Sequence, residues 1–189
     1  MPLTWSRDNF PSGCVVLDAS AVINLLGCSQ SAEILISAST IAIIDPQVLA
    51  EITRHPIETR DHKEELRDLQ SKELVQFHEL TEIEYETYLK IVSRPKPDAL
   101  GRGESAAIAV ALHGKHTLVL DDRKARRISS EYYPKVNTIS TLSFMVGAAR
   151  QANWPKTKLK ETVRAALDKA RMAVLANERE LLSEVMASE

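Results

Sequence analysis

Two stretches decide how this chain folds: Cys14-Val15-Val16-Leu17-Asp18-Ala19-Ser20 near its start, and Leu118-Val119-Leu120-Asp121-Asp122-Arg123-Lys124-Ala125-Arg126 about 100 residues later. Each opens with a short uninterrupted apolar run, the pattern of a strand buried on both faces of a parallel sheet. Each run stops at an acid and passes directly into helix-forming sequence. A buried strand that ends in Asp and turns into a helix is the opening half of a βαβ unit.

The same alternation extends outward from these two points. Residues 20–26 read as a helix stopped near Gly27, and residues 31–38 as a second helix. Residues 40–44 form a β-branched run ending at Asp45-Pro46, where Asp45 suits a helix cap and Pro46 the first helical position. That third helix carries Val48, Leu49, Glu51 and Ile52 and ends before Pro56. A charged helix over 61–72, a short strand over 74–77 and a helix over 81–92 follow. Arg94-Pro95-Lys96-Pro97 then breaks the chain into a loop. Beyond Gly101 and Gly103, residues 104–113 read as a tightly packed helix rich in Ala. The second deciding stretch supplies a strand over 117–120 and a helix from Arg123 to about Ser130. An edge strand over 136–139 and a helix over 141–149 complete the series. Strands alternating with helices predict an α/β fold, a central parallel sheet covered by helices on both faces.

Residues 156–186 differ. They carry no strand signal and place Leu159, Val163, Ala166, Leu167, Ala170, Val174 and Leu175 at helical spacing, which predicts one long helix or two. The expected organisation is a domain over residues 14–150 and a C-terminal helical extension over residues 151–189, packed on that domain or on a partner. Asn153-Trp154-Pro155 is the joint between them.

Composition narrows the function classes. A chain of 189 residues, 44% hydrophobic and 26% charged, holds one well-buried domain and is not a disordered or fibrous protein. Its formal charge of −2 argues against a dedicated duplex-DNA binder, which carries a basic excess. Contact with nucleic acid must then rest on a local patch or on bound cations. Cys14 and Cys28 form no ligand pattern and read as small core residues. The polar opening lacks the apolar core of a secretory signal, and no apolar run spans a bilayer, so the expected compartment is the cytoplasm, without membrane contact.

Chemistry points to the acids. Asp18, the segment from Asp45 to Glu51, and the Asp121-Asp122 pair all lie at carboxyl ends of strands, where open parallel sheets place their sites. Glu104 starts a helix, where the dipole favours its ionised form. Clustered carboxylates need either a shared proton or a hard divalent cation, and Mg²⁺ or Mn²⁺ prefers oxygen donors and water. Any one of these acids alone is more simply a cap or a solvated charge; their joint placement favours a site. Arg123, Lys124, Arg126 and Arg127 follow the acids and suit either RNA phosphates or a solvated helix face. Arg94, Lys96 and Arg102 form a second possible rim. His113 and His116 straddle a helix end at Gly114 and read as structural, and Trp5 and Trp154 as packing residues.

These motifs resemble the PIN-domain family. The resemblance rests on Val15-Val16-Leu17-Asp18-Ala19-Ser20, Val48-Leu49-Ala50-Glu51-Ile52, Gly101-Arg102-Gly103-Glu104-Ser105-Ala106-Ala107-Ile108 and Leu118 to Arg126, in that order, and covers about Cys14 to Ala149. It implies a PIN-like three-layer α/β/α fold and a Mg²⁺- or Mn²⁺-dependent ribonuclease of the VapC-like kind, with RNA as substrate. It also implies a homodimer and, for the toxin of a toxin–antitoxin pair, an antitoxin protein as partner. By position, Asp18, Glu104 and Asp122 would be the main metal ligands, with Glu51 completing the catalytic pocket. Asp121 would either bind a second metal or cap the helix after it. Ser20 would hydrogen-bond a ligand or cap the first helix, and Asn24 is a further polar candidate; with Arg102 and Arg123 they are the candidate substrate contacts.

Three other readings compete. A PIN-like RNA- or protein-binding module without catalysis would have been expected to lose some of the acids. A dehalogenase-like phosphotransferase with Asp18 as nucleophile would want a second acid where this chain has Ser20. A P-loop enzyme lacks its motif here.

Overall fold

The computed structural model describes residues 10–11 and 13–187. Trp5 and most of the polar opening segment lie outside the described residues. Five strands, β1 (Gly13–Leu17), β2 (Thr40–Ile44), β3 (Val75–Phe77), β4 (Thr117–Val119) and β5 (Thr138–Ile139), form one sheet in the order β3-β2-β1-β4-β5. Every neighbouring pair is parallel. From β1 the chain builds outward through β2 and β3, then returns to the other side of β1 to add β4 and β5. The order therefore reverses between β1 and β4, and the carboxyl ends of those two strands flank the crevice.

The helices are α1 (Ala19–Cys28), α2 (Ser31–Ala38), α3 (Pro46–Glu51), α4 (His62–Ser71), α5 (Glu82–Val92), α6 (Arg102–Gly114), α7 (Arg123–Tyr132), α8 (Thr141–Gln151), α9 (Lys156–Ala170) and α10 (Arg179–Ala187). They flank the sheet as two packed groups: α1 and α2 lie against α8 and α9, while α6 lies against α3 and α5. The result is the three-layer α/β/α arrangement expected. The carboxyl-terminal halves of β1, β2 and β4 are buried because both of their faces are covered, which explains why they read as continuous apolar runs. Among the described residues, no single helix is long and apolar enough to cross a membrane.

One expectation is refined. Gly27 does not stop α1; the helix continues through it to Cys28, and Ser29 ends it in the left-handed region at φ 59°. Gly27 is instead where α9 crosses, since a Cβ on it would stand 2.6 Å from the Cβ of Ala170. Of the two forms expected for the C-terminal stretch, it takes the second: two helices, α9 and α10. Arg171 closes α9 in the left-handed region at φ 57°, and the chain then runs extended into a 3₁₀ turn, Ala176–Glu178, before α10. Val163, Ala166, Met172 and Val185 share one buried cluster with Val16 and Leu118.

Gly27→Ala tests that helix crossing by the sign of its effect. Inside a helix, alanine ordinarily stabilises by about 1 kcal/mol over glycine. Here the added methyl meets α9, so urea denaturation should show a loss of about 1–3 kcal/mol. A gain in stability would mean that α1 and α9 do not approach this closely.

Candidate active site

Asp18 follows β1 and caps α1. Its Oδ1 accepts the Ala21 amide at 2.7 Å and its Oδ2 accepts the Ser20 hydroxyl at 2.8 Å. Ser20 is thus spent on orienting Asp18, and the cap of α1 is Asp18 itself. The side chain is 3% exposed. Burial, with the nearby charges of Asp121 and Glu104, outweighs those two hydrogen bonds and pushes the carboxyl up to about 7.

Asp121 and Asp122, adjacent in sequence, have different surroundings. Asp122 is exposed and caps α7 through the Ala125 amide at 2.8 Å. Asp121 is buried and turned the other way. Its Oδ1 accepts the Thr141 amide at 2.8 Å, while its Oδ2 accepts the Thr141 hydroxyl at 2.6 Å and the Asn24 amide group at 2.8 Å. It ties α1, the end of β4 and the start of α8 together. Of the two roles weighed for Asp121, capping the following helix belongs to Asp122. Burial raises the Asp121 carboxyl above the ordinary range, against the three donors that favour its charge.

Glu104 and Glu51 meet at the start of α6. Glu104 is the third residue of that helix and reaches back to the Gly101 amide at 2.8 Å, the reciprocal half of a capping box. Glu51, at the end of α3, accepts the Gly103 amide at 2.7 Å. A Cβ on Gly103 would stand 2.8 Å from the Glu51 carboxylate, so only glycine lets the acid approach the backbone there. Burial raises the Glu104 carboxyl, and the charges of Asp122 and Glu51 raise it further. Asp45 lies elsewhere: it caps α3 through the Gln47 amide at 2.6 Å, and the charges acting on it are His78, Glu84 and Glu79.

Five acids from four separate parts of the chain therefore share one electrostatic neighbourhood at the β1/β4 crevice. Among the described residues, no three His, Cys, Asp or Glu side chains are drawn together tightly enough to hold a metal ion as they stand. The donor set nevertheless suits a hard cation, because every candidate donor is a carboxylate oxygen. Among the described residues, Glu51, Glu104 and Asp122 each use one oxygen on a backbone amide and leave the other without a hydrogen bond. Asp18 engages each oxygen once, which leaves lone pairs on both.

The basic residues divide. Arg126 turns inward and donates to the Leu120 carbonyl at 2.9 Å. Arg127 pairs with Asp98 at 2.7 Å and Glu131 at 3.0 Å, and Lys124 donates to the Ala99 carbonyl. Arg94 lies over the Tyr132 ring at 3.7 Å. These contacts fasten the loop after α5 along α7, beside the site. Arg102 and Arg123 are exposed first residues of α6 and α7, next to Glu104 and Asp122. Lys96 is exposed on the loop. His113 bonds Thr87 at 2.8 Å, and Trp154 donates to Ser37 at 2.9 Å, so both serve packing as expected. Cys28 is buried, and Cys14 half-buried.

Sequence reasoning missed one acid of this region. Glu178, in the 3₁₀ turn, is 3% exposed and accepts the hydroxyls of Ser140 and Ser143, both at 2.5 Å. Nothing in its local sequence marks it, because its neighbours come from α8.

A doubly flanked parallel sheet with carboxylates gathered at its reversal point is an α/β domain with an acidic site. The PIN-domain family model matches residues 14–187, and the chain belongs to that family. PIN domains are in general nucleases. No curated protein and no solved structure gives a significant match.

The raised Asp18 carboxyl has a measurable consequence without metal. The folded state holds a proton on Asp18 between pH 3.8 and about 7 that the unfolded chain has released. Asp18 therefore costs stability as pH rises through that window, and the cost is complete above it. Asp18→Asn keeps an acceptor for the Ala21 amide and removes the charge. In chelator-treated protein it should be more stable than the wild type at pH 8, by up to about 4 kcal/mol, with the gain vanishing towards pH 4. Equal or lower stability of the variant at pH 8 would contradict the buried, charge-crowded setting of Asp18.

Proposed function

We propose that this chain is a metal-dependent endoribonuclease that hydrolyses RNA phosphodiester bonds with water as nucleophile. The observation that carries the reading is that Glu104 stands within electrostatic reach of both Asp18 and Asp122, which follow β1 and β4, with carboxylate lone pairs left available. Those three would hold Mg²⁺ or Mn²⁺, which when bound supplies an activated water and offsets charge on the phosphate. Glu51 acts on the α6 side, fixing the first turn that carries Glu104. Ser20 orients Asp18, and the Asn24–Asp121–Thr141 set holds the turn that carries Asp122. Arg102 and Arg123, exposed at the starts of the helices next to Glu104 and Asp122, and exposed Lys96 would receive RNA phosphates.

The VapC-like toxin role, with an antitoxin as partner, rests on the resemblance of the four motifs. A homodimer is supported by Ile83, Tyr85 and Leu89, large apolar side chains left exposed on α5.

Asp18→Asn, Glu104→Gln and Asp122→Asn should each lower Mg²⁺-dependent cleavage of labelled RNA by at least about 100-fold, with folding intact by circular dichroism. Chelation should abolish cleavage by the wild type, and a phosphomonoester should not be hydrolysed. Unchanged cleavage by Asp18→Asn at saturating Mg²⁺ would refute the assignment. Phosphomonoester turnover lost in that same variant would favour a phosphotransferase. Arg102→Ala and Arg123→Ala should raise KM several-fold with little change in kcat, and the wild-type KM should rise with salt. A KM indifferent to both substitutions would remove them from the RNA path.

A further inference from the structure

Glu178 is a buried acid close to the site that the proposed chemistry does not use. Its Oε1 takes the hydroxyls of Ser140 and Ser143, and its Oε2 is buried without a hydrogen-bond partner among the described residues. An unpaired buried carboxylate oxygen costs stability, so its presence calls for a physical account. The two serines are not incidental partners. Ser140 caps α8 by accepting the Ser143 amide at 2.9 Å, and Thr141, between them, holds both oxygens of Asp121. Glu178 thus closes the first turn of α8 from behind while Asp121 closes it from the front. It is also near enough to act electrostatically on Asp121 and on the inward-turned Arg126.

We propose that Glu178 is a positioning residue through which the C-terminal segment sets the geometry of the metal-binding acids. It fixes Ser140 and Ser143, they fix the first turn of α8, and Thr141 on that turn fixes Asp121. Asp121 in turn holds the β4–α7 turn, and with it Asp122, against α1 and Asp18. The proposal deepens the metal-site reading given above and rests on it for its effect on metal affinity, but not for its effect on Thr141.

Two variants and two readouts test it. In Glu178→Gln the amide oxygen still accepts both hydroxyls; in Glu178→Ala nothing does. In chelator-treated protein, hydrogen exchange of the Thr141 amide should speed up at least about tenfold in Glu178→Ala, with β1 amides unchanged. By titration calorimetry, the same variant should bind Mn²⁺ about tenfold more weakly. Glu178→Gln should stay within about threefold of the wild type in both. If Glu178→Ala does not fold, Ser143→Ala, which removes one of the two hydroxyls, takes its place with the same direction expected. Uniform acceleration of all amides, unchanged Mn²⁺ affinity, or equal loss in Glu178→Gln would each overturn the positioning role. Failure of the wild type to take up Mn²⁺ would instead sink the metal-site reading, and Thr141 exchange would then decide whether Glu178 holds Asp121.

Discussion

Asp18 and Asp121 are neighbours because β1 and β4 pair in parallel, with Leu17 opposite Val119 and the Asp18 amide donating to the Val119 carbonyl at 3.3 Å. Everything at the crevice depends on that pairing. Only at the reversal of strand order do two strands diverge towards helices that leave on opposite sides, opening a cleft at their carboxyl ends. The rest of the chain keeps the two strand ends in place. The apolar cover on both faces fixes the register, since slipping either strand by one residue would turn its side chains to the wrong layer.

Gathering acids in such a cleft is energetically unfavourable, and the structure shows how the cost is distributed. Asp18, Glu104 and Asp121 all have carboxyls raised first by burial, and then by one another or by Asp122, Glu51 and Glu178. Helix starts offset part of it: Asp18 and Asp122 cap α1 and α7, and Glu104 and Glu51 both take amides at the start of α6. Asp121 stands apart because both its oxygens are held by Thr141 and Asn24. It gives up openness to an incoming cation and joins three elements instead. Adjacent aspartates thus divide between a structural tie and an exposed acid that caps α7 within electrostatic reach of Glu104.

Much of this was legible in the sequence for a physical reason. Buried parallel strands are short, apolar and bounded, so β2 and α2 fall on the residues their patterns mark, and the Asp45-Pro46 signal starts α3 as expected. The acids at strand ends were visible for the same reason. What stayed hidden depends on contacts distant in sequence. Gly27 looks like a helix stop until α9 is seen crossing it. The apolar spacing of residues 159–175 runs through a break at Arg171 because, beyond it, Met172 is buried in the same core as the helix before it and Val174 packs against that core. Glu178 has no motif around it, since Ser140 and Ser143 lie on another element. The asymmetry between Asp121 and Asp122 could not be read from a DD pair either; it is set by Thr141, twenty residues on.

Crystals of the protein soaked in Mn²⁺, with anomalous difference maps, test the central assignment most directly. A manganese peak should appear in the β1/β4 crevice, with carboxylate oxygens of Asp18, Glu104 and Asp122 at about 2.1 Å and Asp121 still bound to Thr141 and Asn24. No peak in the crevice at saturating Mn²⁺, or a peak held by acids other than these three, would contradict it.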